Sequence, residues 1–208
     1  MRSGIAGPAS ALSRRIGAGL RAWHSFIALV LLLGIAVVSS GTARAAGDRI
    51  EIEQAAFELK DDGYYFNGDF DLDLKPRVAE ALDRGLTLYF VVEVELTRSR
   101  WYWFDEKAVN AALNYRVSYH ALTRQYRVAS GNMQMIFATL GEAIGMMTHV
   151  RDWKVAERNT LRIGETYAAA VRMRLDTTQL PKPFQINAMT SRDWTLDSDW
   201  KRFTYEPR

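Results

Sequence analysis

The chain has 208 residues, 27 Lys and Arg against 24 Asp and Glu for a formal net charge of +3, 48% hydrophobic residues and no cysteine. Without Cys there are no disulfide staples, thiolate metal sites, cysteine nucleophiles or lipobox-type lipid anchors. Five of the bases precede Asp48 and every acid lies at or after it, so residues 46–208 carry 22 bases against 24 acids. A domain of net −2 lacks the excess of Lys and Arg that a broad nucleic-acid footprint needs, and no nucleic-acid partner is expected.

The first 24 residues are Arg-rich and acid-free, and the apolar run Phe26–Val38 follows, closed by Ser39-Ser40-Gly41. This is the layout of a secretory signal. Its 13 apolar residues fall short of the roughly 20 that span a bilayer. Ala43-Arg44-Ala45 has the small-x-small pattern of a cleavage site, so residues 1–45 are expected to be a signal peptide cut after Ala45. The alternative is an uncleaved signal anchor that contacts the membrane through residues 22–40. Either way residues 46–208 are expected to be one β-rich extracytoplasmic domain, in the periplasm or held there on the inner membrane.

Along that domain the dominant signal is period-two alternation. Ile50 and Ile52 change parity to Phe57 and Leu59, which predicts a bulge at Gln54-Ala55-Ala56. Asp61-Asp62-Gly63 then predicts a hairpin turn on its Asp-Gly pair. In Tyr64–Leu74 the apolar residues share one parity and Asp69, Asp71 and Asp73 the other, as in a strand with one wet face. Pro76–Arg84 reads as a short helix with Pro at its start, a Glu80/Arg84 pair and Gly85 past its end. Leu86–Leu96 is the strongest strand and, being partly apolar on both faces, is placed at the centre of a sheet. Tyr115, Val117 and Tyr119 predict a further strand, with Tyr126 and Val128 in its partner. Ile136, Leu140, Ile144 and Met147 recur at helical spacing, predicting a helix within Met133–Met147 that Gly141 and Gly145 weaken. Tyr167–Leu175 restores alternation, and Trp200, Phe203 and Tyr205 predict a closing strand. Seven to nine antiparallel strands with two or three short helices indicate a mainly-β sandwich or partly closed barrel.

Few residues point to chemistry. Asp69, Asp71 and Asp73 are weak candidates for holding a hard cation, because their spacing departs from the calcium-loop pattern at Leu74, where that loop needs Gly. Arg98-Ser99-Arg100-Trp101-Tyr102-Trp103-Phe104 is the least ordinary stretch. Four consecutive aromatics cannot all face one core in an extended chain, so Arg98, Arg100, Trp101 and Trp103 form a candidate binding patch through stacking and cation–π contacts; packing at the end of a barrel is the competing reading. His120 and His149 lie outside any metal-ligand spacing, and no nucleophile or phosphate-binding motif occurs. No cofactor and no enzymatic activity are expected.

Taken together, Ala56-Phe57-Glu58-Leu59, Gly85-Leu86-Thr87-Leu88, Arg100-Trp101-Tyr102-Trp103, Leu122–Val128 and Trp194-Thr195-Leu196-Asp197-Ser198, behind a signal segment, resemble the proteobacterial envelope family called domain of unknown function 4390. The resemblance spans nearly all of the chain after the signal. It implies an exported, non-catalytic protein, often encoded beside a nitrogen-regulation-type membrane sensor kinase, and it supplies no catalytic residues. The expected function is therefore an exported non-enzymatic domain that binds an envelope protein or a small polar ligand, on the sensory side of a membrane kinase. A structural scaffold or assembly factor of the envelope is the alternative, and a metal-dependent hydrolase using Asp69, Asp71 and Asp73 is the third reading.

Overall fold

A computed structural model describes residues 50–98 and 106–208. Strands β1 (Glu51–Lys60) and β2 (Gly63–Asp71) form a hairpin, and β7 (His149–Glu157) adds to β2, making a three-stranded antiparallel sheet in the order β1-β2-β7. A second antiparallel sheet of six strands runs β6-β5-β4-β3-β8-β9. Its strands are β3 (Leu88–Arg98), β4 (Glu106–His120), β5 (Gln125–Ser130), β6 (Met133–Phe137), β8 (Tyr167–Leu175) and β9 (Lys201–Tyr205). Neither sheet closes on itself, so the architecture is a β-sandwich with short helices, and the barrel reading falls away.

The alternation predicted for β2, β3 and β8 is the alternation observed. Tyr64, Phe66, Phe70, Leu72 and Leu74 are buried between the sheets, as are Leu88, Phe90, Val92, Val94 and Leu96 from β3 and Tyr167, Ala169, Val171, Met173 and Leu175 from β8. β3 is central, paired with β4 on one side and β8 on the other. Apolar side chains from facing sheets interlock here, each buried large residue contributing roughly 1.5–3 kcal/mol of transfer free energy. The core also takes in helix α1 (Pro76–Asp83), whose Val78 and Leu82 are fully buried. Pro76 opens this helix and Gly85, at φ +95°, closes it as expected, and Glu80 pairs with Arg84 at 2.6 Å. A smaller cluster at one end packs Tyr64, Leu96, Val109, Leu161, Tyr167 and Ala169.

Three local expectations change. The bulge lies one residue earlier than predicted: Ile52 opposes Phe70 and Gln54 opposes Asp69, so Glu53 is the extra residue. The hairpin turn is Asp61-Asp62, while Gly63 already pairs with Lys60 as the first residue of β2 and has no left-handed φ. What Gly63 supplies is space: a Cβ there would sit 2.4 Å from the Ala156 carbonyl oxygen of β7. Most importantly, Met133–Met147 is not one helix. Met133–Phe137 is strand β6, joined to β5 through Gly131-Asn132, with Gly131 at φ +55° as a two-residue hairpin of the II′ kind requires. Helix α2 (Leu140–Thr148) begins only after Thr139, which forms a capping box with Glu142.

Candidate functional site

The sequence candidates are dispersed. Asp69 sits opposite His149 in the β2–β7 pair; its carboxylate accepts from the Arg151 guanidinium and lies 3.9 Å from His149 Nε2. Asp71 and Asp73 are exposed. Among the described residues no three His, Asp or Glu side chains gather as metal ligands. His149 Nδ1 donates to the Gly145 carbonyl at 2.8 Å, and His120 Nδ1 bonds Thr123 at the β4–β5 turn, so the two histidines serve separate local roles. Of the Arg-aromatic patch, Arg98 ends β3 with its guanidinium 2.6 Å from Glu106 and 3.6 Å from Glu165. Arg100, Trp101 and Trp103 lie outside the described residues, as does the apolar run Phe26–Val38. Among the described residues no helix is long and apolar enough to cross a membrane.

The structure assembles a cleft that sequence spacing does not show. Its walls are α1 and helix α3 (Lys182–Thr190), and it encloses about 710 Å³. Because α1 turns Val78 and Leu82 into the core, Arg77, Glu80 and Arg84 are left on its outer side at the cleft rim. Pro181 stands at the N-cap of helix α3 and Pro183 in its first turn, and Phe184 and Ala188 pack against the core. Phe184 packs edge-on against Trp194 with centroids 5.6 Å apart, and the Gln185 amide donates to the carbonyls of Thr178 and Leu180 at 2.8 and 2.7 Å. Lys75 Nζ donates to the Arg192 carbonyl at 3.0 Å and ties the segment before α1 to the one after α3. Asn187, Thr190 and Ser191 bring polar groups to the α3 wall, and Leu86, Phe184 and Trp194 form an apolar floor. The rim is electrically balanced: Arg77 pairs with Asp193 at 3.2 Å and Arg84 with Glu80. Each guanidinium keeps further N–H groups beyond those its carboxylate takes.

A second groove, about 590 Å³, runs beside β7 over Tyr115, Met133, Met146 and Trp153, with Arg151 and Lys154 on its margin. Burial pushes the Tyr115 phenol up to about 12.

The residues sequence reasoning missed are those of α3, together with Trp194, which stands out along the chain only as the first letter of the W-T-L-D-S stretch. In the fold that stretch is a seam against β8. The Leu196 carbonyl accepts from Leu175 N–H at 2.7 Å, and buried Ser198 accepts from Met173 N–H through Oγ while donating its own N–H to the Met173 carbonyl.

Two facing antiparallel sheets with short connecting helices, two of which wall an amphipathic cleft, define a mainly-β sandwich domain. The family model described as Domain of unknown function (DUF4390) matches residues 47–204, and the chain belongs to that family. No curated protein and no solved structure matches it.

Proposed function

We propose that this is an exported, non-catalytic binding domain of the cell envelope whose cleft between α1 and α3 holds a small polar molecule with a flat apolar part. The observation that carries the reading is the cleft's composition. Hydrogen-bonding side chains come from both walls (Arg77, Arg84, Asn187 and Thr190) over a floor of Leu86, Phe184 and Trp194. Its volume of about 710 Å³ suits a small ligand, and the spare N–H donors of the two arginines suit a planar acceptor such as an amide or carboxylate. The non-catalytic part rests on the sequence, in which no nucleophile or phosphate-binding motif occurs.

The export part rests on residues 1–45: a basic, acid-free start, an apolar run and a small-x-small site. A membrane sensor kinase as the partner that senses cleft occupancy rests on the family resemblance. Ligand-observed NMR with a panel of small aromatic and heteroaromatic amides and carboxylates tests the site. Compounds are expected to bind the native chain and to lose binding in Asn187→Trp, which fills the cleft from an exposed position of α3. A panel without binders, or binding untouched by that variant, sinks the cleft reading. N-terminal mass analysis of cell fractions tests export separately, with a soluble species starting at Ala46 expected.

A further inference from the structure

Four strands bound the two sheets: β1 and β7 in the small sheet, β6 and β9 in the large one. Three of them carry features that resist pairing with another chain. β1 bears Glu51, Glu53, Glu58 and Lys60 and a bulge. β7 is irregular, with Asp152 at φ +50° and Arg151 and Lys154 along it. β9 bears Lys201 and Arg202, and Lys201 Nζ donates to the carbonyls of Ile52 and Glu53, which ties that edge to β1. Charges, bulges and covering contacts are the devices by which sheet edges avoid association.

Among the described residues, β6 alone of the four carries no charge and no bulge, and no strand pairs with its outer side. Met133-Gln134-Met135-Ile136-Phe137 contains no charge and no Pro, and its register against β5 is unbroken. Met133 is 66% and Ile136 53% exposed. The two-residue turn makes Ser130 and Met133 a hydrogen-bonded pair, and strict alternation makes Val128/Met135 and Tyr126/Phe137 the next two. The N–H and C=O groups of Gln134 and Ile136 therefore point away from β5, to the side where no described strand pairs with β6.

We propose that β6 is a self-association edge that pairs antiparallel with β6 of a second copy of this chain, centred on Met135. In that register Gln134 of each copy faces Ile136 of the other, and both carry outward N–H and C=O groups, so four backbone hydrogen bonds form about the two-fold axis. Met135 packs on its own mate, Met133 falls beside Phe137, and no like charges meet along the strand. A second copy is the occupant because the edge is complementary to itself in both hydrogen-bond phase and charge, and two-fold pairing uses each open group once. A five-residue strand buries far less than the roughly 1,600 Å² of a standard interface, so the dimer exchanges with monomer and depends on concentration.

Sedimentation of the full chain, in a mild detergent that accommodates residues 26–38, tests this across a concentration series alongside Gln134→Pro and Ile136→Lys. Proline at an outward-pointing edge N–H leaves the β5 ladder intact while deleting two of the four bonds between copies; lysine places like charges across the axis. Each variant is expected to raise the concentration of half-dimerisation about tenfold or more. Hydrogen exchange gives a second reading that needs no variant: the amides of Gln134 and Ile136 slow as the protein is concentrated, whereas that of Met135 is protected throughout. A chain that stays monomeric at every concentration overturns the proposal, as does a dimer that both variants leave unchanged. So does protection of Gln134 and Ile136 in the monomer, which would mean that the chain covers its own edge.

Discussion

The guanidinium of Arg172 lies 4.5 Å from the ring centroid of Trp200 while its Nε donates to the Glu93 carboxylate, directly across the β3–β8 pair. Arg174 donates to the same carboxylate at 3.2 Å and lies 3.5 Å from Asp176. This charged row covers the outer face of the central strand, where Val91 is buried although its parity is the outward one.

Acid stability should depend on that row. Burial pushes the Glu93 carboxyl up, but the hydrogen bonds and charges of Arg172 and Arg174 outweigh it and hold the group below its ordinary value. Asp176 is likewise lowered, its burial outweighed by hydrogen bonds from Thr178 and Gln179 and by Arg174. A carboxylate depressed on folding contributes stability that is present above its unfolded pKa, about 4, and is lost as pH falls through the folded value. Thermal unfolding across a pH series should show native stability falling below about pH 4 more steeply than in Glu93→Gln. At neutral pH that variant should cost about 1–2 kcal/mol, since charge-assisted bonds to two arginines are lost at a partly exposed site. Equal acid slopes in the two proteins would remove Glu93 from the account.

The alkaline limb should report a different contact. Tyr126 of β5 donates to Asp83 at the end of α1 at 2.7 Å, and this bond, helped by burial, pushes its phenol up to about 12. A group raised on folding contributes stability that is complete below its unfolded pKa, about 10, and disappears as pH climbs through the folded value. Tyr126→Phe should cost about 1 kcal/mol at neutral pH and flatten the loss of stability on the alkaline side. Ultraviolet difference titration checks the assignment: one late-ionising tyrosine disappears in the variant, and Tyr115, raised by burial alone, remains.

Strands buried by strict alternation were legible along the chain because a period of two admits one inward face, and β3 and β8 keep it from end to end. β6 and α2 were not. Met133, Ile136, Leu140, Ile144 and Met147 mimic a helical stripe, and only the Gly131 turn and the Thr139/Glu142 capping box divide it into two elements. β7 escaped because the left-handed Asp152, whose N–H bonds the Asn67 side chain at 2.9 Å, shifts parity in mid-strand. Helix α3 has no fully buried residue and so no clear apolar stripe. The cleft was illegible for a geometric reason: Arg84 and Asn187 come from helices far apart in sequence, and only the fold sets them across one opening. The wet face of Asp69, Asp71 and Asp73 was legible from its parity, and among the described residues these carboxylates do not gather with others as a metal-ligand group.

Gly63 should tolerate no side chain. A methyl there would meet the Ala156 carbonyl oxygen at 2.4 Å and Lys154 Cε at 2.6 Å, and the first of these is backbone that cannot swing aside. Gly63→Ala should therefore lose about 1–3 kcal/mol by forcing β2 and β7 apart, although alanine ordinarily stiffens an unfolded chain and favours folding. Gly141→Ala is the matched control, since open space surrounds that helical position, and it should gain up to about 1 kcal/mol. Denaturant unfolding of the two variants should move the midpoint in opposite directions.

Two tyrosines of one core cluster should respond with opposite signs to the same chemical change. Tyr64 is fully buried, its ring edge-on to Tyr205 with centroids 6.4 Å apart, and its hydroxyl has no hydrogen-bond partner among the described residues. Tyr167, also buried, accepts the Arg162 N–H through its hydroxyl at 3.0 Å. A buried hydroxyl without a partner costs about 1–3 kcal/mol of desolvation, whereas a satisfied one contributes about 1 kcal/mol net. Removing the oxygen from Tyr64 keeps the ring packing and lifts the desolvation cost, so Tyr64→Phe should stabilise the fold by about 1 kcal/mol. Tyr167→Phe should destabilise it by a similar amount, because the Arg162 N–H then loses its acceptor. Equilibrium denaturation with both probes on one preparation decides the matter: a Tyr64→Phe variant less stable than the native chain would mean that the hydroxyl is satisfied in solution.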